Sequence, residues 1–303
     1  MKGFIGIVKR NLKVYFQDVQ AVIFSLLTSI IVFVLYLLFL KGSFVNAING
    51  ALQGLESFIE AGDVEVFANS ILLSGIMGSA LITVSFATLN TFVRDKETRI
   101  AEDVLTTPVS RAKIVTSYFV SSSTASTLMT SIIFTVGLGI LSASGKIYMS
   151  AVDILKSYGV IALGAVSATA FLMIIMTFFK DTSASAAFFG ILSAAAGFVI
   201  GAYIPISEFS PEVKTLCNIF PASHVTVMIR NTLMNGILSH MNDSIGGVDN
   251  GEFVKAMKEV FGFRTEMMGK VLSLSASGIY VIAIAAVCIA TFVVIYQKTY
   301  KRR

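Results

Sequence analysis

Six apolar runs, at 19–40, 66–93, 114–145, 157–179, 182–207 and 271–297, contain no Asp, Glu, Lys or Arg. Each reaches the about 20 helical residues needed to cross a hydrocarbon core of about 30 Å. The second and third are long enough to tilt or to project beyond the bilayer. Ahead of the first run, Phe4, Val8, Leu12 and Tyr15 recur at helical spacing, with Lys2, Lys9, Arg10 and Lys13 on other faces. Residues 1–17 are therefore expected to form a basic amphipathic helix lying on an anionic membrane surface. A signal peptide fits less well, because a full-length apolar run follows and no small-residue cleavage site does. The pattern predicts an all-α membrane protein of six transmembrane helices, with residues 1–303 forming one domain.

Composition supports this. Of the 303 residues, 55% are hydrophobic and only 14% charged, against about 25% charged in a soluble domain. Six spans put both termini on one side, and the distribution of basic residues chooses the side. With both termini cytoplasmic, the inside segments hold 14 basic and 6 acidic residues, and the outside segments hold 9 and 12. The expected place is thus the plasma membrane, multi-pass, with both termini inside. Segments 41–65 and 208–270 become external loops, and 94–111 becomes the main internal one.

Catalytic chemistry finds no foothold. The spans carry no paired carboxylates and no His dyad, and the uncharged cores lack the ionisable group that an ion-driven carrier usually needs. Asn69, Asn90 and the many Ser and Thr residues suit hydrogen bonding within and between helices. Cys217 and Cys288 form no CxxC, and His224 and His240 have no second ligand at metal spacing. The stretch from Gly139 to Ile147 imitates a phosphate loop but is one residue too long and lacks the Ser or Thr that holds magnesium. No cofactor, metal or nucleic acid is expected on this chain, and its substrate-binding residues are unknown. Any motor is expected on another polypeptide.

In segment 94–111, Ile100, Ala101, Val104 and Leu105 share a helical face, while Glu97, Glu102 and Asp103 point elsewhere. Pro108 stops the helix and biases Thr107 away from it. Spacing alone serves equally well a rod that fits a groove on a soluble partner and a charged loop that merely obeys topology. The segment resembles the coupling region of type-2 ABC exporter permeases, whose pattern is matched by Glu97, Glu102, Leu105, Thr107, Pro108, Val109, Ser110 and Arg111. Many members carry Gly-Thr where this chain has Arg99-Ile100. A second match follows the fifth span: Pro205, Pro211, Phe220-Pro221-Ala222-Ser223-His224 and Arg230-Asn231. Phe220 departs from the Asn usual before that last proline.

The resemblance covers nearly the whole chain. It implies short re-entrant external helices after the fifth span, turning at Pro205, Pro211, Pro221 and Arg230. It also implies ABC ATPase subunits, carrying ATP and magnesium, docked on 96–110, and a second permease copy or a sister permease. Membrane lipids would surround the assembly. Ser193, Gly197 and Gly201 would meet that second copy or, as their small size equally allows, pack within one subunit. Phe253, Met257, Val260 and Phe261 in 252–270 suit a lid, a membrane-resting helix or a helix packed on its own loop. The expected function is export of an amphipathic or lipid-like cargo by alternating access. An ABC-coupled sensor and an ATP-independent secondary carrier are the alternatives.

Overall fold

A computed structural model describes residues 2–52, 56–202, 206–246 and 251–299. Twelve α-helices and one small hairpin make up the described chain: α1 (Lys2–Gln17), α2 (Val19–Leu35), α3 (Lys41–Leu52), α4 (Ala61–Glu97), α5 (Ile100–Leu105), α6 (Arg111–Ser144), α7 (Ala151–Met176), α8 (Thr182–Val199), α9 (Pro211–Ile219), α10 (Pro221–Ile245), α11 (Glu252–Val260), β1 (Thr265–Met267), β2 (Lys270–Leu272) and α12 (Leu274–Thr299). The architecture is all-α apart from that antiparallel hairpin. Pro205, Lys301, Arg302 and Arg303 lie outside the described residues.

Five helices, α4, α6, α7, α8 and α12, are long and apolar enough to cross a membrane. The run at 19–40 divides differently. Asp18 caps α2 by accepting from Ala21 N (3.1 Å), and the chain bends by 70° between α1 and α2. Counting that bent pair as one span gives six. Beyond Leu35 a π-helical turn, Tyr36–Leu40, carries the helix straight into α3. Lys41 ends the apolar run but not the helix. Phe44, Ile48 and Leu52 recur every fourth residue and are buried, so the expected external loop begins as an amphipathic helix.

α4 is the core of the bundle. Its apolar window is 94% buried, against 17% for α8 and 22% for α12. The other spans leave apolar stripes uncovered: Leu128, Ile132, Val136 and Ile140 on α6, and Ile279, Ile282 and Val287 on α12. Stripes of this kind are stable facing lipid tails or a partner, not water. Close approach to α4 depends on small residues. A Cβ on Gly75 would lie 2.8 Å from Ala202 Cβ, and one on Gly78 would collide with Thr226 Oγ1 on α10.

Hydroxyl groups add hydrogen bonds without charge. Ser85 meets Ser126 on α6 at 2.8 Å, and Ser122 donates to Thr88 O at 3.3 Å. Most of the others return to their own helix, as Ser70 does to Val66 O (2.7 Å). The hydroxyls within α4 thus spend their polarity locally, which keeps the helix compatible with an apolar surround.

The small-residue contact gives a test. Gly78→Ala should destabilise the bundle by roughly 1–3 kcal/mol through overpacking. Gly159→Ala on α7, where a new Cβ meets nothing within 4 Å, should stabilise it by about 0.5–1 kcal/mol. Thermal unfolding in one detergent compares them; equal effects would show that α4 and α10 are not tightly apposed.

Candidate functional site

The end of α4 carries four consecutive charges, Arg94-Asp95-Lys96-Glu97, and each holds a different part of the chain. Arg94 Nη1 pairs with Asp18 Oδ2 (3.1 Å), the residue that caps α2. Asp95 is 1% exposed and takes a bidentate grip from Arg10 of α1, with Nη2 to Oδ1 at 2.9 Å and Nη1 to Oδ2. Tyr118 of α6 donates to the same Oδ2 at 2.6 Å. Lys96 Nζ donates to Thr177 O (2.9 Å) and Phe179 O (2.5 Å), the free carbonyls just beyond α7. Glu97 Oε2 accepts from Thr182 N (3.1 Å) and Thr182 Oγ1 (2.7 Å) at the start of α8.

The signs match the backbone. A cation satisfies carbonyls at a helix C-terminus, and a carboxylate satisfies N–H groups at an N-terminus. Lys96 and Glu97 therefore clamp the α7–α8 turn from its two sides. Asp181 completes the cap by accepting from Ala184 N at 2.8 Å.

The chain then reverses at Arg99, whose φ of 62° lies in the left-handed region. This explains physically why glycine suits the position and why Arg99 is a departure. α5 follows. Its C-terminus is held by Thr106 Oγ1 to Asp103 O (2.7 Å) and Thr107 Oγ1 to Val104 O (2.6 Å). Pro108 ends it, and α6 restarts at Arg111.

The apolar stripe of this rod turns towards its own chain. Ala101 is buried, and Val104, Leu105 and Val109 pack with Ile7 against a core that includes Phe92 and Val115. A Cβ on Gly3 would come within 2.8 Å of Val109, so α1 presses on the far end of the elbow. Ile100 and Arg111 are half-buried. Glu102, Asp103, Thr107 and Pro108 are exposed, so the face left open is acidic and polar. Glu97 belongs to the α8 cap rather than to that face.

The other predicted residues have other surroundings. Gly197 and Gly201 are buried within the chain, and Ser193 is half-buried. Gly201, at φ 70°, ends α8: its N–H donates to Phe198 O (3.1 Å) and that of Ala202 to Gly197 O (2.8 Å). This is a Schellman cap, which needs a left-handed residue at that position. The outward side of α8 instead shows Ile191, Ala194, Ala195 and Phe198.

Pro211 and Pro221 each begin a helix, where their missing N–H costs nothing. The segment they open pairs one short helix, α9, with a long one, α10. Arg230, 3% exposed within α10, donates from Nε to Ser74 Oγ (3.2 Å) and from Nη1 to Phe261 O (2.5 Å) and Gly262 O (3.0 Å). Asn231 Nδ2 adds Phe263 O (2.9 Å). The pair thus clamps the turn after α11, whose Phe253 and Met257 are buried beneath it. Desolvation lowers the Arg230 pKa to about 10, so the side chain stays charged at neutral pH.

Sequence reasoning missed Arg10, Asp18, Asp95, Lys96 and Tyr118 as a connected set. The first four were visible only as charges beside spans, and Tyr118 only as a member of the third apolar run. No grouping of His, Cys, Asp and Glu able to hold a metal exists among the described residues.

A family model described as ABC-2 family transporter protein matches residues 53–296. No curated protein matches the chain.

Substitutions at three positions check the geometry by chemical unfolding in detergent. Asp95→Ala strands a half-buried Arg10 and should cost roughly 2–3 kcal/mol. Asp18→Ala loses a cap and an exposed pair, and should cost about 1 kcal/mol. Arg99→Gly should leave stability unchanged or raise it by about 1 kcal/mol, and Arg99→Val should lower it.

Proposed function

Because the chain belongs to the ABC-2 transporter family, we propose that it is the permease subunit of an ATP-driven exporter with six spans and both termini in the cytoplasm. Members of the family are membrane subunits of transport systems that work with ABC ATPases. The observation that carries the mechanism is the adjacency of the α5 rod to the four-charge tip of α4. A push on the rod need travel only through Thr98 and Arg99 to reach residues gripping α1, α2, α6, α7 and α8.

ATPase subunits dock on the exposed acidic face, Glu102 and Asp103, and on the Thr107-Pro108 corner. The rod's apolar side keeps it seated on the membrane domain, so displacement of the rod moves the bundle. ATP binds and is hydrolysed on the partner, which supplies the different affinity for two states that any shift between them requires. A second permease copy packs against the outward side of α8. Its apolar surface and the uncharged hydroxyl-rich spans favour an amphipathic cargo, moved outward by alternating access.

Two variants separate docking from transmission. Glu102→Lys with Asp103→Lys should abolish co-purification with an ABC ATPase partner. Asp95→Asn should keep that association and reduce cargo-stimulated ATP turnover at least about tenfold, an effect on the order of 1.4 kcal/mol. Normal association and turnover in both would refute the assignment. Transport continuing without any ATPase would instead establish a secondary carrier.

A further inference from the structure

At the end of the bundle opposite the rod, a cavity of about 580 Å³ opens between the C-terminus of α8, α9, α10, α11 and the β1–β2 hairpin. That volume is the size of a small-molecule site. Its apolar lining includes Ile200, Val227, Val254 and Val271. Five basic side chains line it against two acidic ones, Glu259 and Glu266. Lys214 is already paired with Glu266 at 3.2 Å. Lys255, Lys258 and Arg264 make no ion pair or side-chain hydrogen bond among the described residues.

The fifth base, Arg230, is the telling one. Its Nε and Nη1 donors are met by neutral oxygens only, and no carboxylate among the described residues pairs with it. A guanidinium has five N–H donors. The two on Nη2 find no acceptor among the described residues. A charge this deeply buried normally has a counter-ion. Because Arg230 lines the cavity, an anion entering it would meet this guanidinium and a positive field from three neighbours that have no ion pair among the described residues.

We propose that this cavity binds an amphipathic anion, its phosphate or carboxylate head beside Arg230, Lys258 and Arg264 and its alkyl part against Ile200, Val227 and Val271. Either an anionic lipid of the adjoining leaflet or a free amphiphile supplies that chemistry. The inference requires neither an ATPase nor transport, so it stands or falls separately from the coupling mechanism.

The test uses the full chain in phosphatidylcholine nanodiscs, without nucleotide, with titration calorimetry against empty nanodiscs. Dodecyl phosphate should bind saturably with one site per chain, and dodecyltrimethylammonium and inorganic phosphate should bind at least about tenfold more weakly. Lys258→Gln with Arg264→Gln, both at the rim, should weaken dodecyl phosphate by about tenfold or more. The rim pair is chosen because Arg230→Gln could disturb folding, and unchanged thermal unfolding of the rim variant confirms that it is folded.

A second arm replaces a fraction of the lipid with phosphatidylglycerol. Competition with dodecyl phosphate identifies a leaflet lipid as the source, and its absence identifies a free amphiphile. Equal binding of the cationic amphiphile, equal binding of bare phosphate, or an unaffected rim variant would overturn the proposal.

Discussion

A buried carboxylate at the end of the central helix organises this molecule. Asp95 has almost no access to solvent and is satisfied by Arg10 and Tyr118, which come from helices on either side of α4 in sequence. A charge in such a place is tolerable only while both partners stay. That requirement fixes α1 against α6 and sets where α4 must stop. Arg94, Lys96 and Glu97 then extend the same logic outward, each spending its charge on the end of another helix. Among the described residues, no ion pair of this kind lies within the middle of the apolar helices. These helices are held by close-set small residues and by hydroxyl groups that mostly bond their own backbone.

This division of labour suits a moving membrane protein. Small-residue contacts between apolar helices carry little directional preference, so they permit sliding. Charged fastenings at the tip are directional and keep the helix ends in fixed relation. On the proposed mechanism, a force applied at α5 would meet the charged joint first and the apolar bundle second. The opposite end is organised differently. There Arg230 and Asn231 hold backbone carbonyls of the turn after α11, and the result is a fixed wall around a cavity rather than a joint.

Much of the architecture was legible in the sequence, because uncharged runs of span length have few other folds. The run at 66–93 falls within α4, and those at 114–145 and 157–179 begin inside α6 and α7 and end just beyond them. Elsewhere local pattern misled for identifiable reasons. Lys41 ended an apolar run without ending a helix, since Phe44, Ile48 and Leu52 continue one buried face. The hairpin at 265–272 is six paired residues, too short to show alternation. Gly201 sat at a spacing that suits helix–helix packing, but its positive φ serves a cap; spacing cannot separate those roles. The α5 stripe was visible, yet what it faced depended on how the flanking helices present Phe92 and Val115, and on Ile7, distant in sequence. The tip charges looked like topology signals because their partners lie up to 85 residues away.

The π-helical turn at Tyr36–Leu40 has a consequence for register. Side chains four apart in an α-helix drift around the axis, because each residue advances by about 100°. Tyr36 and Phe44 both face the core although eight positions separate them, and the wider turn between them takes up that drift. It works as a phase corrector. Removing one residue there would leave a longer uninterrupted helix but swing Phe44, Ile48 and Leu52 off the core by roughly a quarter-turn. Chain length in this stretch is thus a constraint in its own right, independent of which side chains occupy it.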